Sequence, residues 1–240
     1  MSAIVTWLDQ LWYCGVRSQW DDELLRERVL ARIPSDAIAL DLGAGAGRVP
    51  AMNFKAAGRF VFGIDVDLAI SDNRQIDGGC VGDASRLPFR DAAFDLVFAD
   101  NVLEHLEKPE LVFAEVARVL KPGGRFLVKT PNAWHYVTVL ARLTPYRFHQ
   151  WINGRRGRAH ADTFPTRYLA NTNRTLGELA ETAGLEVACI ASVEGRPEYA
   201  RINPALYVFG RLYERLVNSA NWGALFRVVL LGEFAKPLGR

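Results

Sequence analysis

Asp41-Leu42-Gly43-Ala44-Gly45-Ala46-Gly47, residues 41–47, follows without a break on the apolar run Ala37-Ile38-Ala39-Leu40. A strand that ends in glycines at alternate positions lets the backbone turn tightly and come close to a ligand. A helix is expected next, over 48–57, and its first turn would offer unpaired N–H groups to that ligand. The spacing is G-x-G-x-G. A dinucleotide loop takes its third glycine one position later, where Arg48 stands, and no lysine follows in the pattern of a triphosphate-binding loop.

Working outward, short apolar runs rich in β-branched and aromatic residues recur with helix-like segments between them. Strands are expected at 37–42, 59–64, 79–81, 94–99 and 125–129. Helices are expected at 48–57, 68–74 and 109–120; the last opens on Pro109 and stops at Lys121-Pro122-Gly123-Gly124. This β-α-β-α order defines a doubly wound α/β fold with helices on both faces of a mostly parallel sheet. Upstream, 19–33 reads as an amphipathic helix with Trp20, Leu24, Leu25 and Val29 near one face. Trp7, Leu8, Leu11 and Trp12 form another apolar face, read as packing rather than as a lid.

After Lys129 the rhythm changes, and 130–174 is polar, aromatic and rich in turn formers. A helix over 175–183, a strand over 186–193, an apolar helix over 204–217 and a strand over 225–234 follow. The expected organisation is one domain over 1–240. It has a helical segment (1–36), a ligand-binding core (37–132), a substrate-facing insertion (133–174) and a completion of the sheet (175–240).

Six motifs stand in order: Leu40-Asp41-Leu42-Gly43-Ala44-Gly45-Ala46-Gly47, Gly63-Ile64-Asp65-Val66-Asp67, Gly82-Asp83-Ala84-Ser85-Arg86-Leu87-Pro88-Phe89, Phe94-Asp95-Leu96-Val97, Val102-Leu103-Glu104-His105-Leu106, and Leu120-Lys121-Pro122-Gly123-Gly124-Arg125. In this order they resemble the class I S-adenosylmethionine (SAM) dependent methyltransferases, in particular the small-molecule group that includes ubiquinone-type O-methyltransferases. The resemblance covers residues 37–132. It implies a Rossmann-like sheet of about seven strands, the last antiparallel, and SAM as cofactor.

By the same resemblance, Asp41 and the glycines Gly43, Gly45 and Gly47 border the methionine part of SAM, with Asp41 toward its ammonium. Asp65 is placed to accept from both ribose hydroxyls, and Asp83, with Ala84 beside it, from the adenine amino group. Asn101 lies where cofactor and acceptor meet. Each aspartate has a plainer reading as a turn or helix-start residue, and for Asp83 that reading is the stronger competitor.

Methyl transfer to a hydroxyl gains from a base that removes its proton. His105, after the fourth strand, and His135, after the fifth, are the candidates, each against the reading of a histidine that only caps or packs. His149 and His160 are weaker, and no metal site is expected from their separation. Arg147, Arg155, Arg156 and Arg158, interleaved with Tyr146, Phe148 and Trp151, would suit an anionic or glycan-linked small molecule or would form a solvated loop. Thr130-Pro131-Asn132 looks like the quinone- and sugar-related methyltransferases, which favours oxygen as the acceptor atom. Two alternatives stand beside this reading. They are a silent SAM-binding module, opposed by the intact loop with Asp65 and Asp83, and a dinucleotide-dependent oxidoreductase, opposed by Arg48.

With 240 residues, 50% of them hydrophobic and 23% charged, the chain can bury a substantial core. A net charge of +2 disfavours nucleic acid as a partner, since one short basic patch lacks the extended footprint that recognition needs. The helix with Leu206, Phe209, Leu212, Tyr213 and Leu216 could meet a lipid surface or a second subunit, with core packing preferred. Cys14, Cys80 and Cys189 are too few and too far apart for a disulfide framework. Together with the lack of a basic residue before Arg17, they lead to the expectation of a cytoplasmic protein without a secretory signal.

Overall fold

A computed structural model describes residues 2–16, 20–143 and 165–239. Its sheet is built on β1 (Ile38–Leu42), buried along nearly its whole length as a central parallel strand must be. On one side of it lie β2 (Phe60–Asp65) and then β3 (Gly78–Val81). On the other lie β4 (Phe94–Asp100) and β5 (Leu120–Pro131). These five strands are mutually parallel. The last in sequence, β7 (Val229–Ala235), inserts antiparallel between β5 and β6 (Glu186–Val193), giving the order β3-β2-β1-β4-β5-β7-β6. The order reverses between β1 and β4, so the loops leaving those two strands flank the crevice where such sheets bind ligands.

Successive side chains on a strand point to opposite faces, and this period of two sorts the core. Leu40, Val97, Phe126 and Val128 pack on one face with α3 (Pro109–Val119) and α5 (Asn173–Thr182). There Phe113 of α3 meets Phe126 and Phe234 at ring-centre distances of 5.4 and 5.9 Å, edge to face. Ala39, Val61, Leu96, Phe98 and Leu127 pack on the other face, under α2 (Trp20–Leu30) through Leu25 and Val29. By the same parity Asp41, Asp65, Asp100 and Lys129 belong to the α2 face, and each stands at or next to the C-terminal end of its strand. Thr130 belongs to the opposite face.

The remaining helices are α1 (Ala3–Trp12), α4 (Tyr136–Leu143) and α6 (Pro204–Ser219). The Ser2 hydroxyl caps α1 through the Val5 N–H, and a Thr172/Thr175 capping box starts α5.

Several expectations are corrected. No α-helix forms over 48–57, where the structure has only a 3-10 turn at Pro50–Met52. The carbonyls of Ala51 and Asn53, which helical N–H groups would need, both accept from the Arg26 guanidinium on α2 at 2.7 Å, and Ala56 takes a left-handed conformation. Residues 68–74 likewise give a 3-10 helix over Leu68–Asp72. On α6 the apolar line Leu206, Phe209, Leu212 and Leu216 faces outward; the buried line is Tyr207, Gly210 and Val217. Gly210 permits that seating, because a Cβ there would stand 2.7 Å from Pro197. On α1, Leu8 is buried and Trp12 stacks on Tyr207, while Trp7 and Leu11 are exposed.

The final strand starts at Val229 rather than 225, after a 3-10 segment over Asn221–Phe226. Among the described residues no helix is long and apolar enough to cross a membrane.

Candidate functional site

The glycine loop is held against its neighbours by backbone bonds. The N–H groups of Gly43 and Ala44 donate to the Ile64 carbonyl at 2.8 and 3.2 Å, which folds the loop over the end of β2. Gly43 has φ +79°, and a Cβ there would lie 2.4 Å from Val102 Cγ2 in the loop leaving β4. Gly47 has φ +66°, and a Cβ would run into the Asn73 side chain. Asn73 is buried and clamps the loop, donating from Nδ2 to the carbonyls of Ala44 (2.9 Å) and Gly45 (3.1 Å).

Asp65, half-buried at the end of β2, accepts the Gly45 N–H on Oδ2 and the Asp67 N–H on Oδ1, each at 2.8 Å. A carboxylate oxygen has two lone pairs, so both oxygens retain accepting capacity. Asp83 is exposed beyond β3 with Ala84 beside it, and its Oδ1 accepts from the Ser85 N–H at 2.8 Å, the turn geometry that was its plainer reading. Asn101 has φ +52° and is fixed by its N–H to the Lys129 carbonyl at 2.9 Å and by Nδ2 to Asp100 at 3.1 Å.

The charges at this edge are lopsided. Burial, together with the charges of Asp100 and Asp65, pushes the Asp41 carboxyl well above the usual carboxylate range. Burial raises Asp100 to about 6, against the pull of Lys129. Lys129, fully buried at the end of β5, pairs with Asp100 at 2.8 Å, with Asp21 at 3.4 Å and with Asp22. Burial would lower its pKa, but the three carboxylates more than reverse this and keep it charged. One ammonium therefore faces three acids, with Asp41 and Asp65 beyond them. Such a donor set suits a ligand carrying positive charge, and SAM has two cationic centres, its ammonium and its sulfonium.

On the opposite face a buried polar chain crosses from β5 to the segment after β4. Asn171 Nδ2 donates to Thr130 Oγ1 at 2.6 Å, and Thr130 donates to Glu104 Oε2 at 3.1 Å. Burial lifts the Glu104 carboxyl to about 7. His105 follows in a single 3-10 turn, Leu103–His105, with its Nε2 4.0 Å from Glu104 Oε1. Its Nδ1 lies 3.0 Å from the Pro165 carbonyl oxygen, an acceptor only, so Nδ1 carries the ring proton of the neutral form. Burial lowers its pKa.

His135 is placed differently. Its ring is 2% exposed and packs against Tyr136 and Tyr213. Nδ1 accepts from the Val137 N–H, Nε2 lies 3.5 Å from Glu194 Oε2, and burial drives its pKa down to about 3. The arginine and aromatic residues of 146–158, with His149 and His160, lie outside the described residues. Among the described residues no group of His, Cys, Asp and Glu side chains is arranged to hold a metal ion.

Sequence reading missed Asn73, Asp100, Lys129, Glu104 and Asn171 as site residues. Lys129 and Asp100 left a signal, since each is a charge directly after an apolar run, Phe126-Leu127-Val128 and Leu96-Val97-Phe98-Ala99. Asn73 and Asn171 left none.

A sheet switch point with a glycine loop and a strand-end carboxylate is the arrangement of a nucleotide-type binding fold, and the acid-rich edge suits a cationic ligand. Comparison with known proteins agrees. The family profile described as "Methyltransferase domain" matches residues 40–128. A ubiquinone/menaquinone biosynthesis C-methyltransferase UbiE from Burkholderia multivorans is 31% identical over 173 residues, 65% of this chain and 70% of that one. The protein of that name from Burkholderia mallei is 28% identical over 205 residues, 78% of this chain and 82% of that one.

Among solved structures, the [4+2]-cyclase SpnF aligns with TM-score 0.61 and 20% identity over 95% of this chain and 86% of that one. The geranyl diphosphate C-methyltransferase from Streptomyces coelicolor aligns with TM-score 0.54 and 18% identity, covering 90% and 78%. At these identities the structures share the fold alone, and the cyclase illustrates that the fold does not fix the chemistry. The chain belongs to the class I SAM-dependent methyltransferases. SAM is its methyl donor.

Proposed function

We propose that this methyltransferase acts on a hydroxyl oxygen of a small molecule, with His105 as the base that takes the hydroxyl proton. The observation that carries this reading is the 3.0 Å contact of His105 Nδ1 with the Pro165 carbonyl. It makes Nε2 the proton-accepting atom of a ring standing past the C-terminal end of β4, where the acceptor crevice lies. His135 is set aside as a base because its ring is enclosed by Tyr136 and Tyr213.

In this reading Asp41 holds the ammonium of SAM, and the backbone of Gly43, Gly45 and Gly47 borders its methionine part. Asp65 accepts from the ribose hydroxyls. Asp83 and Ala84 border the adenine, and Asn101 lies where cofactor and acceptor meet. SAM supplies, when bound, a methyl carbon already activated by its sulfonium. The protein's share is then alignment of the two reactants, exclusion of water and removal of one proton. The segment 133–174 is assigned to the acceptor in this reading, and the arginine and aromatic residues in its sequence would suit an anionic or glycan-linked molecule.

A second reading places the methyl group on carbon, and the names of the UbiE relatives favour it. Loss of a ring hydroxyl proton makes the neighbouring ring carbon nucleophilic as well as the oxygen, so His105 serves either outcome. The test is a screen of hydroxylated acceptors with 13C-methyl SAM and NMR of the products. An O-methyl signal supports the oxygen reading, and a C-methyl signal replaces it with the carbon reading. His105→Gln should lower the rate by about 100-fold or more, the usual worth of a general base. A rate within about twofold of wild type would remove His105 from that role.

A further inference from the structure

The Asn171–Thr130–Glu104 chain has a direction. Asn171 Nδ2 can only donate, so at 2.6 Å it occupies a lone pair of the Thr130 hydroxyl and turns that hydroxyl's own proton toward Glu104 Oε2 at 3.1 Å. A second bond from Asn171 Nδ2, to the Pro131 carbonyl at 2.9 Å, fixes the amide. Glu104 is thereby oriented with Oε2 engaged and Oε1 toward His105 Nε2 at 4.0 Å. Its backbone is held as well, because its carbonyl accepts from the N–H groups of Arg167 (2.6 Å) and Tyr168 (3.1 Å). The Pro165 carbonyl that holds His105 comes from this same returning segment.

We propose that Glu104 is a positioning residue for methyl transfer: aimed by Thr130 and Asn171, its carboxylate stabilises the imidazolium that His105 becomes when it takes the acceptor's proton. This rests on the reading of His105 as the base. The O–H bond of the acceptor breaks and its electron pair forms the new bond to the methyl carbon, whose bond to the sulfonium sulfur would break with that pair staying on sulfur, leaving S-adenosylhomocysteine. The proton passes to His105 Nε2 and leaves to solvent after the product. With Glu104 buried and His105 partly exposed, the carboxylate acts across 4.0 Å on an imidazolium more strongly than it would in bulk water.

Among the described residues, the other charged or titratable groups facing Glu104 are Asp100 at the end of β4, Lys129 on β5 and Tyr168 on the returning segment. Burial lifts the Glu104 carboxyl from 4.5 to about 7, so it is ionised above neutral pH and its support of His105 grows as pH rises through that value.

The test is a 15N NMR titration of the histidine rings in the full-length protein, with the His105 signals assigned by their loss in His105→Gln. The neutral His105 ring should carry its proton on Nδ1. Glu104→Gln should lower its pKa by about half a unit or more, a threefold or greater loss of basicity. Thr130→Val should shift it in the same direction by less, and Thr130→Ser should restore it. Should Glu104→Gln fail to fold, as judged by circular dichroism and binding of S-adenosylhomocysteine, the Thr130→Val titration decides.

An unchanged His105 titration in the folded variants, or a neutral ring protonated on Nε2, overturns the proposal. If that result accompanies loss of methyl transfer in His105→Gln, only the role of Glu104 falls. If His105→Gln retains the wild-type rate, the base assignment falls with it, whatever the titration shows.

Discussion

The carboxylate of Asp65 at the end of β2 accepts the Gly45 N–H at 2.8 Å, joining the glycine loop to the adjacent strand end through one side chain. Asp65→Ala removes that bond and the remaining acceptor capacity assigned to the ribose. Hydrogen bonds to a charged group are worth about 1.5–3 kcal/mol, so SAM should bind about 10- to 100-fold more weakly by calorimetry. Asp65→Asn, which keeps one acceptor oxygen, should fall between. Unchanged affinity in a folded Asp65→Ala protein would sink the ribose role.

Asn73 is expected to matter as much as the glycines it touches. Asn73→Ala gives up two bonds to loop carbonyls and should cost about 1–3 kcal/mol in urea unfolding, with a parallel loss of SAM affinity. Gly47→Ala should give a similar loss, because its φ of +66° strains any side chain and the new methyl meets Asn73. Wild-type stability and affinity in both variants would show that the loop is held by other means.

Lys129→Met retains volume but leaves Asp22 and Asp100 without their buried cation. Breaking a buried pair from one side costs about 3–5 kcal/mol, and the same order is expected here from denaturant midpoints. The loss should shrink as pH falls through about 6, the value to which burial raises Asp100 even against the pull of Lys129. Adding Asp100→Asn should recover part of it. A pH-independent loss would point to packing rather than charge.

Glu194 provides a pH test away from the cofactor. Burial raises its pKa from 4.5 to about 8 against the pull of the Val228 N–H bond, so the folded state holds this proton more tightly than the unfolded chain. Its contribution to stability is full below pH 4.5 and is lost as pH rises through about 8. Glu194→Gln, neutral at every pH, should gain on wild type as pH is raised between about 5 and 9. Parallel curves for the two proteins would mean that Glu194 ionises normally.

Much of this architecture was legible in the sequence because periodicity is local. The strand runs, the glycine spacing and the acids at the ends of β2 and β3 could be read residue by residue, and with them the fold class and the methyl donor. Contacts between distant residues could not. Lys129 meets Asp22 and Asn171 meets Thr130 only because sheet parity brings them to a common face and edge.

Competition for backbone acceptors was equally hidden. Arg26 takes the carbonyls that a helix over 48–57 would have needed, so a locally plausible helix is absent. The outward face of α6 was decided by the close seating of Gly210 on Pro197, which no apolar count along the helix could reveal. Sequence by itself determined the order of the strands, the glycine loop at the end of β1 and the methyl donor. Only the tertiary structure decided which charges meet and that His135 is enclosed by Tyr136 and Tyr213, because burial and contacts between distant residues arise only when the sheet and its helices assemble.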